Sequence, residues 1–302
     1  MLMAAYGLVS LLLSILVAGI WRAWLERTRL RSGGLLALRL LPSAGALFLT
    51  LSVVLPAFLI NEPNRAVEPV GPVAPLLAVF ALVTLGDGFL RGCKAWAAAA
   101  ALLRKCAPAS PGAVAGVKFA IVDVPDPMVA VVGAWRPRIV AASSVLAACN
   151  REEFRQVIGH EAAHISVHDN LKLLLLLASP DALAWMPAGA ALTAGWRAAA
   201  ELEADALATG SDPRKRVALA AALIKVARLS TAANPRFAEL IMPVALDDVD
   251  GRVRRLLAPL PGSPRTLRLR IVVACALLFA AVVVPLYGLV QISIEALVAF
   301  GG

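Results

Sequence analysis

Four long apolar runs, separated by short polar or basic stretches and one long mixed region, set the plan of the chain. Residues 1–21 carry no charge and end at Trp21, with Arg22, Trp24, Arg27, Arg29 and Arg31 close behind. Residues 40–61 are again uncharged, interrupted only by Pro42 and Pro56, and residues 69–90 hold one charge, Asp87. Residues 271–294 form the last such run. About 20 apolar residues in helical form cross the hydrocarbon of a bilayer, so each run predicts one membrane span. Arg39, just ahead of the second run, is placed to snorkel to the interface, and Asp87, one turn before Arg91, is expected at a similar boundary.

The region between the third and fourth runs has a different texture. A helix continues from the third span through Trp96 and Leu103, and residues 108–112 read as a linker. Short β-prone runs follow at 117–122, 128–132 and 139–142, punctuated by Pro125, Pro127, Gly133 and Pro137, which predicts a small antiparallel sheet. Asn150 with Glu153 three residues on forms a capping box. Phe154, Val157, Ile158 and Ile165 continue at helical spacing, so a helix is expected from Arg151. Another is expected over Trp196 to Thr209, ended by Gly210.

Composition changes the picture by exclusion. With 60% hydrophobic residues, 16% charged residues and a mean hydropathy of +0.79, the chain holds more apolar surface than one soluble core buries. Aromatics at 6% and an Ala, Leu and Val background suit helices rather than barrel strands. The net charge is +9, and all but six of the 29 basic residues fall from Arg91 onward. By the positive-inside rule the first span is retained with its N-terminus outside, and the basic region lies in the cytoplasm, at the cytoplasmic (inner) membrane. Topology accounts for this excess, so no nucleic-acid partner is expected. Cys93, Cys106, Cys149 and Cys275 are scattered, with neither a disulfide framework nor a cysteine metal site in their spacing.

Candidate chemistry sits on the first helix of the mixed region. His160 and His164 are four residues apart on one face, a spacing that lets both imidazoles bind one ion, and Glu161 is placed to reach water on that ion. His168 is two turns from His160 and too far along the axis to join them. A third ligand must come from elsewhere, and Glu201 and Asp205, one turn apart on the later helix, offer it: one can ligate while the other orients an imidazole. Glu203 points elsewhere. Residues 173–196, between the two helices, are apolar enough for a further span, but a single crossing would part His160 from Glu201. A hairpin, re-entrant or packed on the lipid surface, is therefore expected.

Gly159 to His164, His168-Asp169-Asn170, Trp185-Met186-Pro187 and the Glu201 to Asp205 cluster together resemble the BlaR/MecR-type integral membrane zinc metallopeptidases, relatives of the HtpX-type and CAAX prenyl proteases. The order of three spans, a zinc domain and one more span favours the BlaR/MecR arrangement. The resemblance implies one zinc held by His160, His164 and Glu201, Glu161 as general base and acid, and Asp205 orienting a ligand. It also implies a zincin-like, mainly α metalloprotease domain with a small antiparallel sheet at residues 92–268, inserted between three transmembrane helices in residues 1–91 and a fourth in residues 269–302. The function that follows is endoproteolysis of a cytoplasmic or membrane-proximal protein, such as a repressor, in regulated signalling. Quality-control proteolysis and a non-catalytic zinc clasp are the alternatives. Partners are the lipid bilayer and a protein or peptide substrate. The oxyanion falls to an Arg, an Asn or the zinc, because residues 92–268 contain no Tyr and no His beyond these three. The apolar segment Ile139, Val140, Ala141, Ala142 and Ser143 is expected to be the free strand edge that holds an extended substrate.

Overall fold

The computed structural model describes residues 2–23, 30–61, 71–106, 109–125, 127–232 and 249–258. The expected fourth span at residues 271–294 and the loop at 62–65 lie outside them.

Three helices long and apolar enough to cross a membrane occur among the described residues. They are α1 (Leu2–Ala23), α2 (Ser32–Leu49) with its continuation, and α4 (Val73–Lys105). α2 runs on through a π-helical turn, Thr50–Val54, into α3 (Leu55–Asn61). The wide turn lies just ahead of Pro56, which has no N–H to give to the preceding turn. α1 packs against both α2 and α4. Tyr6, Val9, Leu13, Ala46, Leu49 and Ala81 form the buried seam, while Leu47, Phe48, Leu51, Leu76, Val79 and Leu82 face outward. That inside-out distribution is the signature of helices solvated by lipid. α4 has 33 residues, about 50 Å at 1.5 Å per residue, so it continues well beyond a 30 Å hydrocarbon layer. The helix continues past the third span, as the sequence predicts, and its far end packs through Ala99, Leu102 and Leu103 against the sheet.

The sheet has four strands, β1 (Ser110–Val114), β2 (Val117–Val122), β3 (Val129–Val132) and β4 (Arg138–Ala142), in the order β1-β2-β4-β3. β1 occupies part of the segment expected as a linker. The sheet is mixed, not antiparallel as expected: β1–β2 and β3–β4 are antiparallel hairpins, but β2 and β4 pair in parallel, with Phe119 opposite Ile139 and Val122 opposite Ala142. The cause lies in β4, where Ile139, Val140, Ala141 and Ala142 are all buried. A strand apolar on both faces belongs inside a sheet, so the second hairpin docks by β4 and leaves β3 outermost. The expected free edge at Ile139 to Ser143 is thereby corrected: β4 is paired on both sides, Ser143 begins α5 (Ser143–Ala148), and the free edge on this side is β3.

α6 (Arg151–Ser166) starts with both halves of the capping box in place, Asn150 Oδ1 accepting from Glu153 N and Glu153 Oε2 accepting from Asn150 N. It packs on α9 (Pro213–Ala232) and α10 (Val249–Leu257), around Phe154, Ile158, Leu219, Ala222 and Leu256. α7 (Asp169–Ala178), a 3-10 turn (Ala182–Trp185) and α8 (Pro187–Thr209) form the expected hairpin. Its tip lies among the apolar helices: Tyr6 of α1 donates to the Pro180 carbonyl, Ser43 of α2 bonds Ser179, and Arg91 of α4 donates to the Ser179 carbonyl. Arg39 does not snorkel. It is 2% exposed and donates to both oxygens of Asp181 at 3.0 Å, because the tip brings a carboxylate to it inside the bundle. Asp87 likewise pairs with Arg91 and accepts from the Trp185 indole. Gly88 permits the approach, since a Cβ there would stand 2.6 Å from the Ala178 carbonyl.

Candidate metal centre and active site

α6 and α8 cross so that the faces carrying His160, His164 and Glu201 meet. His160 Nε2 and His164 Nε2 are 3.2 Å apart. Glu201 Oε2 lies 3.3 Å from the first and Oε1 lies 3.5 Å from the second. Ligands about 2.0–2.1 Å from one tetrahedral centre stand about 3.4 Å from one another, and these separations, taken to one or other oxygen of Glu201, are of that size. The two nitrogens and the carboxylate therefore form a group that could hold a metal ion. No such fit exists for His168, which is exposed in a left-handed conformation at the α6–α7 junction.

Each imidazole has a carboxylate behind it. Asp205 Oδ1 lies 3.0 Å from His160 Nδ1, close to it but without a formed hydrogen bond. Asp169 Oδ2 lies 2.8 Å from His164 Nδ1. With Nδ1 protonated towards these partners, both Nε2 atoms would be free to bind a cation. The sequence reading gave Asp169 no role. Its only signal was a carboxylate at the first turn after the histidine helix.

Arg252, to which the sequence analysis assigns no role, also reaches the centre. It is 4% exposed and forks onto Asp205, Nη2 to Oδ1 at 2.6 Å and Nε to Oδ2 at 3.0 Å, with Nη1 2.9 Å from Glu201 Oε2. The available clue was its register: Arg252 shares a helix face with Val249 and Leu256. Burial works against ionisation of Glu201 and Asp205, but His160 and Arg252 outweigh it and hold both carboxyls at about 2. Burial also opposes charge on His160, yet Asp205 and Glu201 raise it to about 10. The cluster thus favours a bound cation. Glu161 differs: burial raises its carboxyl above the usual range, with His160 and His164 opposing. Glu203 points away, as expected, and its carboxylate accepts from the N–H and hydroxyl of Ser32 at the start of α2.

His160, Glu161, His164, Asp169, Glu201 and Arg252 line a cavity of about 740 Å³ bounded by α4, the β3–β4 hairpin, α6, α7, α8, α9 and α10. The free edge of β3 forms one wall, and Asn170 fastens α7 to it by donating to the carbonyls of Val131 and Gly133. Trp21 and Leu35 pack on Trp196 in the same cluster as Ala200. With Ser32 bonded to Glu203, this sets the cavity level with the ends of α1 and α2.

Lipid-facing helices joined to a buried two-histidine, one-carboxylate centre define a membrane protein with the donor set of a metal-dependent hydrolase. Residues 76–256, the stretch carrying α4, the sheet and every residue of the centre, match the BlaR1 peptidase M56 family, and the chain belongs to it. At the level of that family it is a BlaR1-like membrane metallopeptidase, with protein as its class of substrate. No curated protein matches the chain.

Proposed function

We propose that the chain is a zinc endopeptidase of the inner membrane that cuts a cytoplasmic or membrane-proximal protein in regulated, antirepressor-like proteolysis. The observation that carries this reading is the convergence of His160, His164 and Glu201 within metal-ligand range of one another, beside a half-buried Glu161, in a cavity walled by the edge strand β3. Zinc, when bound, supplies a Lewis acid that polarises the peptide carbonyl and makes water acidic near neutral pH. Glu161 takes a proton from the attacking water on its carboxylate and returns one to the leaving nitrogen, a role suited to a carboxyl raised by burial. Asp205 and Asp169 hold the ligand rings in one tautomer. β3, not β4, holds the extended peptide by main-chain hydrogen bonds.

The test uses the purified full chain. Wild type is expected to carry one zinc. His160→Ala and Glu201→Ala lose it, whereas Glu161→Gln retains it and loses about 10²- to 10⁴-fold in cleavage rate. Zinc held at the wild-type level by Glu201→Ala would remove that residue from the ligand set. Cytosolic proteins that accumulate in cells expressing Glu161→Gln, identified by mass spectrometry, name the substrate.

A further inference from the structure

Arg197 contrasts with five other buried or half-buried cations, each of which has a carboxylate partner. Arg39 has Asp181, Arg91 has Asp87, Lys172 has Asp169, Lys225 has Glu153, and Arg252 has Glu201 and Asp205. Arg197 lines the same cavity as the metal-binding group, its Nε is buried without a hydrogen-bond partner, and no carboxylate pairs with it among the described residues. The neighbouring carboxylates Glu201, Asp205 and Asp169 are already engaged.

Position gives this cation a purpose. Arg197 precedes Glu201 by four residues on α8, so the two share a face one helical turn apart. Much of the cavity wall is apolar, including Leu173 and Leu177 of α7, Ala95 and Ala99 of α4, and Trp196 and Ala200 of α8. A guanidinium held there without a counter-charge is costly, and an incoming carboxylate would relieve that cost through a charge-assisted, bidentate contact strengthened by the low dielectric. We propose that Arg197 is an anion subsite of the cavity, which receives an Asp or Glu side chain of the polypeptide next to the bond to be cut. This specificity rests on the peptidase reading above and adds to it the class of sequence recognised.

The experiment uses the zinc-loaded full chain in detergent and two pools of short peptides, identical except that one carries Asp or Glu where the other carries Asn or Gln. Wild type is expected to cleave the acidic pool about 10- to 100-fold better in kcat/KM, chiefly through KM. Arg197→Met should bring the acidic pool down to the amide pool while zinc content and amide-pool cleavage stay unchanged, and Arg197→Lys should keep part of the preference. Equal cleavage of both pools by wild type, or a preference that survives in Arg197→Met, overturns the assignment. A fall in kcat common to both pools also overturns it, since it would put Arg197 on the reacting carbonyl. Binding of labelled pools to zinc-loaded Glu161→Gln separates this inference from the one beneath it. If nothing is cleaved but the acidic pool binds more tightly and Arg197→Met abolishes the difference, the peptidase reading fails and the subsite stands. Equal binding of the two pools overturns the subsite.

Discussion

Arg252 reaches the centre from a helix 47 residues beyond Asp205, and no local pattern links the two. His160 and His164 were legible because helical periodicity alone puts them on one face, with Glu161 next to the first. Glu201 and Asp205 were legible as a pair one turn apart, although which of them faces the metal depends on how α6 and α8 cross. Arg252 is a tertiary fact. Its removal in Arg252→Met leaves two buried carboxylates without their cation, and the expected cost is about 3–5 kcal/mol, read from the denaturant midpoint of the metal-free chain. Asp169 makes a different kind of contribution. Asp169→Asn keeps the shape but weakens the hold on the His164 ring, so zinc affinity is expected to fall about 10- to 100-fold in a metal-buffer titration, with Lys172→Met, which alters only the outer partner of Asp169, close to wild type.

At the scale of elements, the capped start of α6, the end of α8 at Gly210 and the continuation of α4 past the third span were all written in local sequence. The sheet order was not. Alternation and turn residues locate strands, but pairing partners depend on which hairpin edge is apolar on both faces, and that set β4 inside and β3 outside. The apolar stretch at 173–196 announced a hairpin, yet not that its tip would meet Arg39. Two measurements test that contact. Arg39→Met alone buries an unpaired Asp181 and is expected to destabilise the chain by about 3–5 kcal/mol, while Arg39→Met with Asp181→Leu recovers most of the loss, as seen by thermal unfolding in detergent. Gly88→Leu drives a side chain into the Ala178 and Pro180 backbone. It should cost about 1–3 kcal/mol as overpacking and loosen α4 from α7.

For the whole molecule, the positive-inside rule leads to an expectation that is open to test, a centre facing the cytoplasm. With the native cysteines removed, a cysteine at position 212 should escape an impermeant thiol reagent in intact cells, and one at position 64 should react. The reverse pattern would move the substrate to the other compartment.

The hairpin tip has a consequence for modularity. Deleting α1 and α2 would bare Leu176, Leu183, Leu192 and Trp196, strand Asp181 without its arginine and uncouple Glu203 from Ser32. Residues 92–268 are therefore not a cassette that can be cut free and studied as a soluble enzyme. Expressed alone they should aggregate, and co-expression of residues 1–91 as a separate polypeptide should rescue them, with complementation scored by co-purification and zinc content. A protease assembled in this way has its membrane helices as part of its own core, so whatever alters the packing of those helices acts directly on the helix that carries Glu201.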